Sequence, residues 1–192
     1  PSTTATIADR FRTVLEAAAL RTTGSTAGVE FQGHDFSFRG QTSIASAEAS
    51  GAGHLTAFLG TDSLPALWWI ERYYPGSTEP IAASVPATEH SVMMAGGREH
   101  EDETYARLLR DYPAGILSVV SDTWDLWRVI TETLPGLKDE IMARDGRLVI
   151  RPDSGNPADI LCGTAARTDG PSAADDAAAD APDDPAAKGV IE

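Results

Sequence analysis

The chain contains one cysteine, Cys162, which excludes a disulfide within it and fits a reducing, cytoplasmic setting. Basic residues are also scarce: 15 Lys and Arg stand against 29 Asp and Glu, for a formal net charge of −14. Nucleic acid and anionic membranes both recruit basic surfaces, so neither suits this chain as its main partner. An acidic whole can still hold a local basic pocket for a small phosphorylated ligand. No apolar run approaches the ~20 residues that a membrane helix needs. Nucleotide-binding glycine fingerprints of the P-loop or Gly-x-Gly-x-x-Gly kind are absent, and so is HExxH. His100-Glu101-Asp102-Glu103 has no second histidine at metal spacing and reads as solvated surface, so no protein-built metal site is expected. The first residues, Pro1-Ser2-Thr3-Thr4, include neither an initiator Met nor a signal-peptide layout, and read as a cut inside a longer protein.

What is present is a recurring alternation of short apolar runs with helical patterns. Asp9 to Leu20 reads as a helix with Phe11, Val14 and Leu15 on one face. Val29-Glu30-Phe31 is a short strand, Ser43 to His54 a helix of small residues, and Leu55 to Leu59 another strand. Leu64 to Tyr74 is helical, with Pro65 in the first turn, where a missing N–H costs little. Ser91 to Tyr112 reads as one long helix and Gly115 to Val120 as a buried strand. Helices follow over Trp124 to Leu134 and Leu137 to Arg144, then a turn at Asp145-Gly146, a strand at Leu148 to Ile150, and a short helix ending at Gly163. Trp68-Trp69 and Trp124/Trp127 lie at helical spacing and read as packing. Thr164 to Ala187 carries no large apolar side chain and reads as a disordered acidic segment, which cannot bury enough surface to order itself. Residues 188–192 look like the start of a further element.

Strands separated by helices imply crossover connections and parallel pairing, hence an α/β fold. Each strand delivers polar groups at its end: His34/Asp35/Arg39, Asp62, Glu89/His90, Ser121/Asp122 and Arg151/Asp153. In a barrel-like βα array such loops converge on one rim, where this architecture places its chemistry. The stretch Ser84-Val85-Pro86-Ala87-Thr88-Glu89-His90-Ser91 stands out. Its Pro cannot continue a central ladder, and its Ser can cap a following helix. His90 is thus either a nucleophile or general base, or a loop histidine with a backbone or water partner. Asp122 could fix its tautomer, as in a triad, or cap the next helix. Arg39 and Arg151 offer planar forks for phosphate or for stacking, although Arg151 and Asp153 could simply pair within their loop. Phe36 and Phe38 could wall a slot for a flat heterocycle or belong to the core. The carboxylates could hold a ribose or Mg²⁺.

His34-Asp35-Phe36-Ser37-Phe38-Arg39-Gly40, Gly60-Thr61-Asp62, Ser84 to Ser91, Ser118-Val119-Val120-Ser121-Asp122 and Ile150-Arg151-Pro152-Asp153-Ser154-Gly155 together resemble the nicotinamide phosphoribosyltransferase family, over roughly residues 3–163. Nicotinate phosphoribosyltransferase is the related alternative. The resemblance implies a partial catalytic domain over residues 1–163: an incomplete (βα) barrel of the type II phosphoribosyltransferase kind. It implies condensation of nicotinamide with 5-phosphoribosyl 1-pyrophosphate, with Mg²⁺, to give nicotinamide mononucleotide and pyrophosphate for NAD salvage. ATP would act as coupling co-substrate by phosphorylating His90, with Asp122 hydrogen-bonded to that histidine. Phe36 would stack on the pyridine, and Arg151 would lie on the ring's neighbouring side. Asp62 would accept the carboxamide N–H, Arg39 and Ser118 would sit around the carboxamide oxygen, and Asp153 would bind the ribose. A carboxylate at Asp62 accepts from an amide and repels nicotinate, which favours nicotinamide.

The resemblance further implies a homodimer with sites shared between subunits, an N-terminal domain and later barrel strands beyond this chain, and an acidic insertion of the bacterial kind. An open partial barrel exposes sheet edges. The 192-residue chain alone is therefore expected to be inactive and poorly folded. A non-catalytic fragment that binds nicotinamide or nucleotide is the alternative from another class.

Overall fold

A computed structural model describes residues 1–76, 81–164 and 185–190. The chain divides into two units, Pro1–Ser84 and Val85–Glu192, each described here by itself.

The first unit opens with α1 (Ser2–Thr22), which starts well before the expected Asp9. Its inward side is also displaced from the expected one. Ala8 is buried and Leu15 packs beside it, against Ala57 and Phe58, whereas Phe11 and Val14 stay exposed. Arg12 follows the same inward line and donates to the Ala57 carbonyl at 2.7 Å. Gly28, in the left-handed region, opens a 3-10 turn at Val29–Phe31 where a strand was expected. The strand β1 comes later and is short, His34–Asp35, and leads into a second 3-10 turn at Ser37–Gly40. Helix α2 (Ile44–His54) falls within the expected bounds and is capped by Ser43, whose Oγ accepts from the Ser46 N–H. The apolar run after it is not a strand: Leu55, Thr56, Ala57 and Phe58 donate back to α2 carbonyls and unwind the helix end. Ala57 and Phe58 are used in packing against α1, so β2 begins only at Gly60–Thr61. Helix α3 (Pro65–Tyr73) follows. β1 and β2 pair in parallel, His34 beside Gly60 and Asp35 beside Thr61, and Ala83 bridges Gly60 from the other side, also in parallel.

In the second unit, Ala87 bridges Ser118 in parallel, tying the Ser84–Ser91 stretch to β3 (Ala114–Val120). The long helix expected from Ser91 to Tyr112 is broken. Helix α4 (His90–Met94) ends at Gly96-Gly97, where Gly97 has φ +82. A 3-10 turn at Arg98–His100 then leads into α5 (Glu101–Asp111). A side chain at position 97 would be strained, which is why the break falls there. After β3 come α6 (Leu126–Arg128), a π-helical turn (Val129–Thr133), α7 (Leu134–Gly136) and α8 (Lys138–Ala143). Asp145-Gly146 is not a turn but the start of β4 (Asp145–Arg151), which pairs in parallel with β3 along its whole length. Helix α9 (Pro157–Cys162) is capped by Asn156, and α10 (Pro185–Lys188) begins inside the segment read as disordered. The rest of that segment, residues 165–184, lies outside the described residues.

Met93, Tyr105, Leu108, Leu117, Val119, Val120 and Val129 form the core of this unit. Beside it lies a fully buried Glu101, paired to Arg128 at 3.2 Å, with the Arg128 fork also on Asp102. The architecture is therefore mixed α/β. Every strand pairing among the described residues is parallel and joins segments that follow one another across helices. No helix among the described residues is long and apolar enough to cross a membrane.

In the first unit α2 lies close on α3. A Cβ placed on Gly51 would sit 2.6 Å from the Ala66 Cβ and 3.3 Å from Asp35 Oδ2. Gly51→Ala must push the helices apart, with an expected loss of about 1–3 kcal/mol by urea denaturation. An unchanged midpoint would show that the α2–α3 contact gives way freely.

Candidate active site

The second unit brings together three residues singled out in the sequence. His90 is the first residue of α4, with Glu89 at the cap position, so Ser91 does not cap the helix as its sequence suggests. The segment carrying it is fixed to β3 by the Ser118 N–H donating to Pro86 O and the Thr88 N–H donating to Ser118 O, both at 2.9 Å. Thr88 Oγ1 accepts from the Val120 N–H at 3.0 Å. Asp122 leaves the end of β3 and meets His90 Nε2 at 3.0 Å through Oδ1. The alternative role for Asp122 is taken by Asp125, whose carboxylate accepts from the Arg128 N–H at the start of α6. Asp122 Oδ2 accepts three further bonds, from the Asp153 N–H, the Ser154 N–H and Ser154 Oγ, at 2.8, 2.8 and 2.6 Å.

These contacts decide the state of Asp122. Its side chain is only 9% exposed, and burial alone raises a carboxyl pKa. The donors outweigh burial, led by the Ser154 hydroxyl, the Asp153 N–H and His90, and hold the pKa down at about 2. Asp122 is an ionised acceptor, so the His90 nitrogen facing it carries a proton. That leaves Nδ1 as the other ring position, 3.7 Å from Asp153 Oδ2. Beneath the site Tyr105, fully buried, donates to Ser121 Oγ at 2.7 Å, and Ser121 donates to the Val119 carbonyl. Burial pushes the Tyr105 phenol up, so it stays a neutral donor that fixes the strand end next to Asp122.

Arg151, the last residue of β4, pairs with Asp153 at 2.5 Å and donates to the Thr88 carbonyl at 3.1 Å. The pairing within the loop is thus the arrangement present. Ser118 lies buried in β3 and its backbone carries the contacts to Pro86 and Thr88. His100 is exposed, in line with the solvated surface read from the sequence, and pairs with Glu103.

In the first unit Phe36 and Phe38 are 46% and 42% exposed, so neither is a core residue. Phe36 stacks on His34, ring centroids 4.4 Å apart and planes inclined by 24°. Asp35, buried next to it, accepts from the Ser37 N–H at 2.8 Å and so shapes the turn that carries Phe36 and Arg39. Asp62 follows β2, and its Oδ1 accepts both from His34 Nε2, at 3.1 Å, and from Ser84 Oγ. His34, Ser84, Thr88, Tyr105 and Ser154 therefore belong to the polar clusters although the sequence reading assigned them no role. His34, Ser84, Thr88 and Ser154 lie inside the quoted motifs, which was the available signal; Tyr105 does not. Trp69 lines an apolar cavity of about 710 Å³ with Leu55, Leu59, Ile70 and Tyr74, while Trp68 is exposed rather than packed.

Because the folded-state pKa of Asp122 lies below the ~3.9 of a free aspartate, its contribution to stability is complete above about pH 5. It is lost as pH falls through 4 toward 2, and amounts to on the order of 2 kcal/mol. Asp122→Asn should therefore be less stable at pH 7 and converge on the unsubstituted protein near pH 2, read by urea denaturation across that range. A gap that stays constant with pH would assign the loss to packing instead.

Comparison with known proteins matches residues 31–173 to the nicotinate phosphoribosyltransferase (NAPRTase) family. A nicotinamide phosphoribosyltransferase of Acinetobacter baylyi is 49% identical over 169 residues, covering 84% of this chain and 33% of that protein. Proteins of the same description from Xanthomonas campestris pv. campestris and Mycoplasma pneumoniae are 40% and 39% identical, over 84% and 83% of this chain and 35% and 33% of their own lengths. The chain spans about one third of the length of the curated relatives it matches.

Proposed function

The chain belongs to the nicotinate phosphoribosyltransferase family, and from that premise we propose that its protein is a pentosyltransferase that makes nicotinamide mononucleotide in the cytoplasm. In the reaction the pyridine nitrogen of nicotinamide attacks C1 of 5-phosphoribosyl 1-pyrophosphate. The new C–N bond forms as the C–O bond to pyrophosphate breaks, and no proton need leave the nitrogen. The names of the similar proteins support nicotinamide as the acceptor. Parallel segments that pair with their neighbours in sequence support a βα barrel as the complete architecture.

The observation that carries this reading is the Asp122–His90 pair at the end of β3. A carboxylate that fixes a proton on Nε2 leaves the Nδ1 lone pair as the nucleophile toward a phosphoryl group. In this reading His90 Nδ1 attacks the γ-phosphate of ATP and ADP departs, and later hydrolysis of the phosphohistidine drives the condensation. Asp153, 3.7 Å from Nδ1, would turn to the ribose hydroxyls and release its partner Arg151 to flank the pyridine. Phe36 would stack on the ring, Asp62 would accept the carboxamide N–H, and Arg39 and Ser118 would surround the carboxamide oxygen.

Mg²⁺ supplies charge neutralisation on the pyrophosphate when bound. Among the described residues no group of three or more His, Cys, Asp or Glu is placed to cage an ion, so it would arrive on the substrate. A homodimer with shared sites completes the proposal.

The test is nicotinamide mononucleotide formation by the protein at its full encoded length, with nicotinamide or nicotinate, with and without ATP. Nicotinamide is expected to be the preferred acceptor and ATP to stimulate turnover, with the stimulation lost in His90→Ala. Asp62→Ala should lower the preference for nicotinamide over nicotinate by tenfold or more, the size of a lost hydrogen bond to a charged group. Preference for nicotinate would reassign the acceptor, and binding of nicotinamide without turnover would favour the non-catalytic reading.

A further inference from the structure

We propose that His34 determines the choice between a pyridine amide and a pyridine carboxylate, by holding the Asp62 carboxylate as an acceptor of fixed orientation; this rests on the role given to Asp62 above. His34 opens β1, and its imidazole crosses to the end of β2, where Nε2 meets Asp62 Oδ1 at 3.1 Å. The residue beneath the ring is Gly60, and a Cβ there would stand 2.8 Å from His34 Nδ1. The pose of the imidazole thus depends on a glycine at the position that pairs with His34 across the strands.

A nitrogen that faces a carboxylate at hydrogen-bond distance is a donor. Ser84 Oγ donates to the same oxygen. Two donors on Oδ1 fix the carboxylate and leave its remaining acceptor capacity on Oδ2, which has no hydrogen-bond partner among the described residues. An amide brings an N–H to such an oxygen. A carboxylate brings only acceptors and is repelled. His34 also stacks on Phe36, so a single side chain sets both the acceptor oxygen and the plane of the proposed stacking ring.

Two substitutions separate these roles. His34→Phe keeps an aromatic ring and removes the donor, while His34→Gln keeps an N–H and removes the stack. The full-length protein is assayed for KM and kcat with nicotinamide and with nicotinate, with Asp62→Ala alongside. The expected result for His34→Phe is a rise of tenfold or more in KM for nicotinamide, with a matching fall in its preference over nicotinate and the loss in KM rather than kcat. His34→Gln should retain most of the preference.

An unchanged preference in His34→Phe, or an equal loss of kcat with both substrates, overturns the inference. If Asp62→Ala alters the preference and His34→Phe does not, His34 is excluded and the reading of Asp62 survives. If Asp62→Ala leaves the preference unchanged, that reading fails, and this inference with it. Should His34→Phe fail to fold by circular dichroism, His34→Asn, too short to reach Asp62, takes its place with the same expected result.

Discussion

One carboxylate holds the loops of the second unit in place. Asp122 accepts four hydrogen bonds, one from the histidine that opens α4 and three from the Asp153–Ser154 loop that follows β4. Their geometry is set by the ladder below, since β3 and β4 pair in register up to Val120 beside Arg151. Tyr105, reaching from α5 to Ser121, fixes the strand end one residue before Asp122. Removing water from a carboxylate is costly unless donors replace it, and here four do. The ionised state, the proton on His90 Nε2 and the position of the Asp153 loop are therefore a single arrangement, and none can change without the others.

The sequence conveys this site better than it conveys the fold around it. β3 was legible because an apolar run at the centre of a parallel sheet is buried on both sides and needs no alternation. Helices α2 and α3 were legible through the run of small residues in one and Pro65 at the N-terminus of the other. The runs Val29–Phe31 and Leu55–Leu59 misled, because their apolar residues cover α1 and the helix end instead of forming a ladder. The strands of that unit are two-residue pairings with little side-chain signal of their own. Gly96-Gly97 signalled the break between α4 and α5 in the chain, but the charged periodicity on either side masked it.

Residue types and motif order pointed to the polar clusters, yet the choice among partners needed coordinates. Asp122 could serve His90 or cap the next helix in the sequence reading, and the fold gives that cap to Asp125, inside the helix expected from Trp124, and leaves Asp122 for His90. Arg151 and Asp153 were legible as a pair because they are two residues apart in one loop. The contacts of Asp62 were not, because its donors lie 28 and 22 residues before and after it.

Both units place a carboxylate at a strand end and give it a histidine N–H, yet the two carboxylates have different capacities left. An ionised carboxylate offers about four acceptor positions. Asp122 uses both oxygens, and its four donors fill that capacity. It can orient a neighbour but has no room to read a ligand. Asp62 receives its two donors on one oxygen and is 39% exposed at the side chain. It has an oxygen to offer, held in a fixed direction. Saturation thus divides the proposed roles: the filled carboxylate would set the chemistry of the histidine beside it, and the half-filled one would tell an amide from an acid.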